Sequence, residues 1–202
     1  EELDRHLLSM GQTGARTRES LLSYHRKTSH VIPIRRGLYA VIPPGADSDS
    51  YPVDPFLVAA KLSKDAVLSY HTALEVHGRA YSVREHLTYS ASAPVAAVHF
   101  RGMVFRGVRF PKALCRAEKK NFGVITVDRS GLEVPVTCLE RTLVDVLDRP
   151  DLSGSWEEIW RSLESVEFFD LDKVVEYSRL LGNATTIAKV GFFLEQHRES
   201  LM

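Results

Sequence analysis

The sequence predicts an α+β fold, with a small winged-helix-like head ahead of a larger α+β body, and three observations predict it. A basic helical run leads directly into two β-rich runs joined at Arg35-Arg36-Gly37. Strand-rich segments then crowd the middle of the chain. Amphipathic helices with well-marked starts follow them, so strands come first and helices after. With 202 residues, 44% of them hydrophobic and 26% charged, the chain can bury a sizeable core, which points away from disorder.

The elements can be justified in order. Leu3, Leu7 and Met10 recur at helical spacing before Gly11, a short helix with a glycine stop. A second helix is expected from Thr17 to about Thr28, with Leu21, Leu22 and part of Tyr24 as its thin apolar face. Val31 to Ile42 reads as a hairpin. Pro33 has no N–H to give a ladder, so its strand must be an edge. A ribbon after a basic helix is the order of winged helix-turn-helix domains. Only about thirty residues precede this wing, fewer than three full helices need, so the head reads as truncated or abbreviated. The polar, breaker-rich segment from Pro43 to Ser50 separates a head of residues 1–44 from a body of residues 50–202.

In the body, Asp54-Pro55 is a cap followed by proline at the first helical position. Ala66 to Leu68 reads as a strand, and Ser69 as the cap of a helix closed by Gly78. Five strands follow, at 86–92, 95–100, 103–110, 122–128 and 132–136, with Arg129-Ser130-Gly131 as a turn. The expectation is an antiparallel sheet. Thr137 with Glu140, and Ser155 with Glu158, match the S/T-x-x-E capping box. Apolar stripes at helical spacing run through Leu139 to Leu147 and Trp156 to Leu163. A further run from Leu171 restarts after Gly182-Asn183.

No long apolar run and no basic-then-apolar leader is present, so the expectation is a soluble, cytoplasmic chain without a membrane partner. Cys115 and Cys138 are too few for a disulfide framework and read as buried free thiols. The net charge of zero hides contrasting blocks. Residues 1–44 carry seven Lys or Arg against four acids, 99–132 eight against two, and 133–176 four against twelve. That separation suggests more than one kind of binding surface. No phosphate-binding loop, dinucleotide fingerprint, nucleophile elbow or metalloprotease helix occurs. Ser69, His71 and His77 include a hydroxyl and two imidazoles, but no acid is placed to orient either ring, and Ser69 is explained by capping. Asp145 and Asp148 read as helix surface, within reach of Arg141 and Arg149. No catalytic residue and no metal ligand is expected.

Three runs occur in order: Arg36-Gly37-Leu38-Tyr39, then Tyr70-His71-Thr72-Ala73-Leu74-Glu75-Val76-His77-Gly78, then Val136-Thr137-Cys138-Leu139-Glu140-Arg141-Thr142-Leu143-Val144-Asp145. With these landmarks, spanning about residues 31 to 165, the chain resembles the AbiEi family of antitoxins of type IV toxin-antitoxin systems. The resemblance implies a winged-helix head that binds operator DNA and represses its own operon. It also implies a C-terminal domain that counters an AbiEii-like nucleotidyltransferase toxin encoded alongside. Family members need not form a stable complex with the toxin. Neutralisation by phosphoryl transfer to the toxin, using Mg-ATP, therefore stays open beside binding, as does a repressor without antitoxin action; otherwise no cofactor is implied.

On this chain the candidates for operator contact are Arg18, Arg26 and Lys27 of the helix and Arg35 and Arg36 of the wing. Arg101, Arg106, Arg109, Lys112, Arg116, Lys119 and Lys120 form a second basic surface, for toxin or for DNA. A toxin acting on nucleic acid should itself present basic surface, which favours the acidic helices after Val136 as its partner.

Overall fold

The computed structural model describes residues 15–198 and Ser9, and the helix expected around Leu3, Leu7 and Met10 lies outside the described residues. The chain divides into two compact units, Glu1–Val53 and Asp54–Met202.

In the first unit, helix α1 (Ala15–Lys27) precedes strands β1 (Val31–Arg35) and β2 (Leu38–Val41). Helical periodicity sorts its side chains. Arg18, Leu21, Leu22 and His25, at i, i+3, i+4 and i+7, are half-buried, whereas Ser20, Ser23, Tyr24 and Lys27 are exposed. The helix ends where the Thr28 hydroxyl donates to the Tyr24 carbonyl, 3.0 Å, and Ser29 takes a left-handed φ of 57°. The His30 N–H then donates to the His25 carbonyl and the Ile42 N–H to the His30 carbonyl, fastening the ribbon's base to the helix end. The strands pair antiparallel, Val31 opposite Val41, with a register shift between Pro33 and Arg35. Pro33 interrupts one side of a two-stranded ribbon, where an edge is available to it. Gly37, at φ +83°, supplies the turn that a Cβ would strain.

The second unit begins with α2 (Pro55–Lys61), whose Asp54 cap accepts the Phe56 N–H at 2.8 Å. Then come β3 (Val67–Leu68), α3 (His71–Val76), β4 (His86–Ala91), β5 (Val98–Phe100), β6 (Met103–Arg109), α4 (Lys112–Arg116), β7 (Val124–Arg129) and β8 (Leu132–Thr137). Four longer helices follow: α5 (Leu139–Asp148), α6 (Trp156–Glu164), α7 (Leu171–Leu181) and α8 (Ala184–Gln196), with a 3-10 turn at Pro150–Leu152. Among the described residues no helix is long and apolar enough to cross a membrane.

The α+β class is as the sequence predicts, but the sheet is mixed rather than antiparallel. Its strands run in the order β5-β6-β4-β3-β8-β7. Antiparallel ladders join β5 to β6, β4 to β3 and β8 to β7, and parallel contacts join β6 to β4 and β3 to β8. The cause is order in space. β6 turns back from β5 and inserts between it and β4, so the two strands that sequence places either side of β5 become parallel neighbours. The β7–β8 turn is as expected, with Ser130 and Gly131 both at positive φ, the type I′ geometry that follows strand twist. Gly107 lets β6 cross Tyr89 closely, since a Cβ there would lie 2.7 Å from the Tyr89 hydroxyl and 2.5 Å from the Pro94 Cβ.

The core gathers Leu74 of α3, Leu143, Val146 and Leu147 of α5, Ile159 and Leu163 of α6, Val174 and Tyr177 of α7, and Val190 and Phe193 of α8. Trp156 stands half-exposed at the head of α6, with the Lys189 ammonium 5.1 Å from its ring centroid.

Of the two capping boxes read from sequence, one forms. The Ser155 hydroxyl accepts the Glu158 N–H at 3.2 Å and Glu158 accepts the Ser155 N–H at 2.8 Å. The Thr137–Glu140 box does not, because Thr137 belongs to β8 and its hydroxyl meets that of Thr142 at 2.7 Å, while Glu140 accepts the Asp170 N–H at 3.2 Å. Cys138 stands at the N-cap instead. Ser69 is not a cap either. Its hydroxyl bonds that of Ser90 at 2.9 Å, and Tyr70 opens α3 without a side-chain cap.

Glu158 also accepts the Ser82 hydroxyl at 2.7 Å and lies 3.4 Å from the Arg84 guanidinium, so it ties the 79–85 loop to α6. The Ser155 N–H and then the Ser82 hydroxyl hold its carboxyl down to about 2. A folded-state value below the ordinary 4.5 means that the stabilisation is complete above pH 4.5 and disappears as pH falls toward about 2. Glu158→Gln should melt roughly 2–4 °C lower than the parent near neutral pH, a loss of about 1 kcal/mol, and the two melting curves should converge by pH 2.

Candidate functional site

Two basic surfaces were expected, and the structure sorts their members. In the head, Arg26 and Lys27 are exposed in the last turn of α1, and Arg36 is exposed at the ribbon tip. Arg35 is half-buried in β1. Arg18 lies on the packed face of α1 with Leu21, Leu22 and His25, not on the face that carries Lys27. The exposed face of the helix is instead Ser20, Ser23, Tyr24 and Lys27. Sequence reading assigned Tyr24 in part to the apolar face, but it is 60% exposed. The usable signal was the i, i+3, i+4, i+7 spacing of the four outward residues, which charge alone does not mark.

In the body, Arg106 and Arg109 are exposed on β6, and Lys112 and Arg116 on α4, which follows it directly. None of these four forms a direct ion pair among the described residues. Arg101 sits at the β5–β6 turn with φ +49° and its guanidinium 5.5 Å from the Phe100 ring centroid. Lys119 is 3.4 Å from Glu176 of α7, and the Lys120 ammonium donates to the Ser92 hydroxyl at 2.9 Å. The basic block therefore splits into an open group of four, a pair engaged within the unit, and Arg101 beside Phe100.

The strings that carry the family resemblance meet in the body. Leu68, just before Tyr70, pairs with Val136, and the His77 ring lies 2.8 Å from the Thr137 carbonyl. Behind that seam Arg141 is fully buried. Its Nη1 donates to the carbonyls of Lys120 and Phe122 at 2.9 and 2.7 Å, and its Nε donates to Asp145 at 3.3 Å. Asp145 is buried as well and accepts the Tyr177 hydroxyl at 2.6 Å, which overturns its reading as helix surface. Asp148 accepts from Asn183 and Thr186, and Arg149 pairs with Asp151 in a two-bonded fork, so neither joins this cluster directly. Burial, opposed by the neighbouring Arg141 charge, leaves the Asp145 carboxyl above its ordinary range. Burial, then the Asp145 charge, push the Tyr70 phenol up too. Tyr70 turns the chain from β3 into α3 at φ 59°, ψ −136°, a backbone region normally left to glycine.

The three residues that suggested nucleophile chemistry are separately engaged. Ser69 bonds Ser90, His77 bonds the Thr137 carbonyl, and His71 lies 2.9 Å from the Ser82 carbonyl and 3.2 Å from Glu75. Glu75 does stand beside His71, contrary to the expectation that no acid orients either ring, but that ring meets a carbonyl and not the Ser69 hydroxyl, so no hydroxyl–imidazole–carboxylate relay links the three. The two thiols differ from expectation in one case, since Cys115 is exposed, whereas burial pushes the half-buried Cys138 thiol up to about 11. Among the described residues no group of three or more His, Cys, Asp or Glu could hold a metal ion.

Fold and surfaces together define a two-unit α+β protein, a helix-and-ribbon head in one unit and a mixed sheet with packed helices in the other. Its fold is that of the crystal structure of the RV2827C protein from Mycobacterium tuberculosis, with a TM-score of 0.60 over 96% of this chain and 69% of that one at 19% identity. No protein-family model matches the chain, and no curated protein matches it.

Arg141→Ala should strand the Asp145 carboxylate and two buried carbonyls, costing about 3–5 kcal/mol in urea unfolding. The double change Arg141→Met with Asp145→Leu should recover part of that loss, because no buried charge then remains.

Proposed function

We propose that this chain is an AbiEi-type antitoxin, whose head binds the operator of its own gene and whose body counters a nucleotidyltransferase toxin encoded beside it. The observation that carries the reading is the junction of the two resemblance strings. They are not scattered surface likenesses but the two strand-to-helix turns, β3 to α3 and β8 to α5, that meet at Leu68–Val136 and His77–Thr137.

The head supports the DNA part of the reading. A basic helix ends in Arg26 and Lys27 and runs within three residues into a ribbon tipped by Arg36. Guanidinium and ammonium groups so placed neutralise backbone phosphates flanking a groove, which positions a protein on a duplex without reading sequence. For the toxin, the charge contrast favours the acidic helices from α5 to α7 as the docking side, leaving Arg106, Arg109, Lys112 and Arg116 as a basic surface of the body's own for DNA.

Co-expression with the product of the adjacent reading frame tests the antitoxin reading: growth arrest by that product alone and growth in the presence of this chain are expected, and arrest in both would refute it. For the wing, gel shifts over a salt series are informative. Every phosphate left unneutralised should flatten the log–log salt slope by about 0.9, so Arg35→Ala with Arg36→Ala should lower it by roughly 1–2 units. An unchanged slope would remove the wing from the interface.

A further inference from the structure

We infer that the outward stripe of α1, Ser20, Ser23 and Tyr24, reads base edges in the major groove of DNA, with Tyr24 the residue that determines sequence preference. The inference rests on the DNA-binding reading of the head and assigns to it a function the basic residues cannot supply.

Cations that meet phosphates bind every sequence alike. If the head distinguishes one operator, neutral hydrogen-bonding or apolar groups must reach the bases, and they must stand on a face that the fold has left uncovered. On α1 the packed face is already occupied by Arg18, Leu21, Leu22 and His25. The opposite face presents two hydroxyls, a phenol and, one turn on, the Lys27 ammonium, all exposed. Glu19, Ser20, Ser23, Tyr24 and Lys27 line a shallow depression of about 450 Å³ along it. A serine hydroxyl can donate to or accept from a base edge, and an aromatic ring packs on the thymine methyl group. From Ser20 to Lys27 the stripe advances seven residues, about 10 Å at 1.5 Å each, which matches roughly three base pairs at 3.4 Å.

Tyr24 is also held in place, unlike an ordinary surface tyrosine. Its ring packs edge-on against His25 with centroids 5.3 Å apart, and His25 meets His30 edge-on at 5.8 Å. His30 Nδ1 lies 2.7 Å from the Thr28 hydroxyl, which itself donates to the Tyr24 carbonyl. That last bond fixes the Tyr24 backbone, and the His25 contact restricts the ring on one side, which lowers the cost of ordering it on binding. Of the nearby charges, Arg26, Lys27 and Arg36 are positive and Glu19 is negative, a positive balance that suits a polyanion and disfavours a basic protein surface as the occupant.

The test uses the full chain with two duplexes of equal length, the DNA upstream of its own reading frame and a scrambled version. Wild type should prefer the upstream duplex. Tyr24→Ala should reduce affinity for it by about five- to a hundredfold while leaving affinity for the scrambled duplex and the salt slope unchanged. Ser20→Ala with Ser23→Ala should act in the same direction. Unchanged binding to the scrambled duplex also reports that the head remains folded. If wild type prefers the upstream duplex and Tyr24→Ala keeps that preference, the stripe does not read sequence, although the head still binds DNA. If wild type binds neither duplex, the DNA-binding reading falls and takes this one with it. If Tyr24→Ala abolishes rescue of growth from the toxin but leaves both duplexes bound as before, the stripe docks a protein and the inference is wrong.

Discussion

The body depends on a single buried guanidinium. Segment 117–123 winds between α4 and β7 without regular structure, and the carbonyls of Lys120 and Phe122 that it turns inward have no ladder to satisfy them. Arg141 satisfies both from α5. A charge placed there requires a countercharge, and Asp145, one turn along the same helix, supplies it. Asp145 in turn accepts the Tyr177 hydroxyl from α7, whose ring stacks on Phe122 at 5.5 Å and 10°. One side chain thus joins the segment before β7 to two helices. The geometry reaches back to Gly123, at φ +59°, where a Cβ would stand 3.0 Å from both the Arg141 Cβ and the Cys138 sulfur.

This arrangement gives a physical meaning to the longest string of the family resemblance. Val136 and Thr137 close the sheet beside β3, Cys138 opens α5, and Arg141, Thr142 and Asp145 face inward rather than to solvent. Such residues maintain a shape. The nearby Ser69, His71 and His77 side chains are likewise engaged with Ser90, the Ser82 carbonyl and the Thr137 carbonyl. Under the proposed function, recognition belongs to exposed groups elsewhere: the outward face of α1, the ribbon tip, and the oppositely charged faces of the body. The internal polar network holds the segment before β7 to α5 and α7.

What local sequence dictated was read correctly from local sequence. The Ser155–Glu158 box, the Asp54-Pro55 helix start, the Ser130-Gly131 turn and the Gly182-Asn183 break each depend on backbone groups within four residues, so neighbouring side chains decide them. The same reasoning failed for Thr137 with Glu140. The pattern is identical, but Thr137 is held in a strand and the Glu140 carboxylate meets Asp170 thirty residues on. Ser69 failed alike, drawn to Ser90 across the sheet.

By itself, then, the amino-acid sequence determined the α+β class, the basic helix running into a ribbon, the positions of most strands and helices, and the contrast of charge between segments. All of these follow from periodicity, turn chemistry and composition, which act over a few residues. Tertiary structure alone decided that the sheet is mixed, that Asp145 is a core group, that Arg18 shares the half-buried face of α1, and that Tyr24 faces outward beside His25. Each depends on which face a neighbouring element covers, and a helix or strand carries two faces that its own sequence describes only in part.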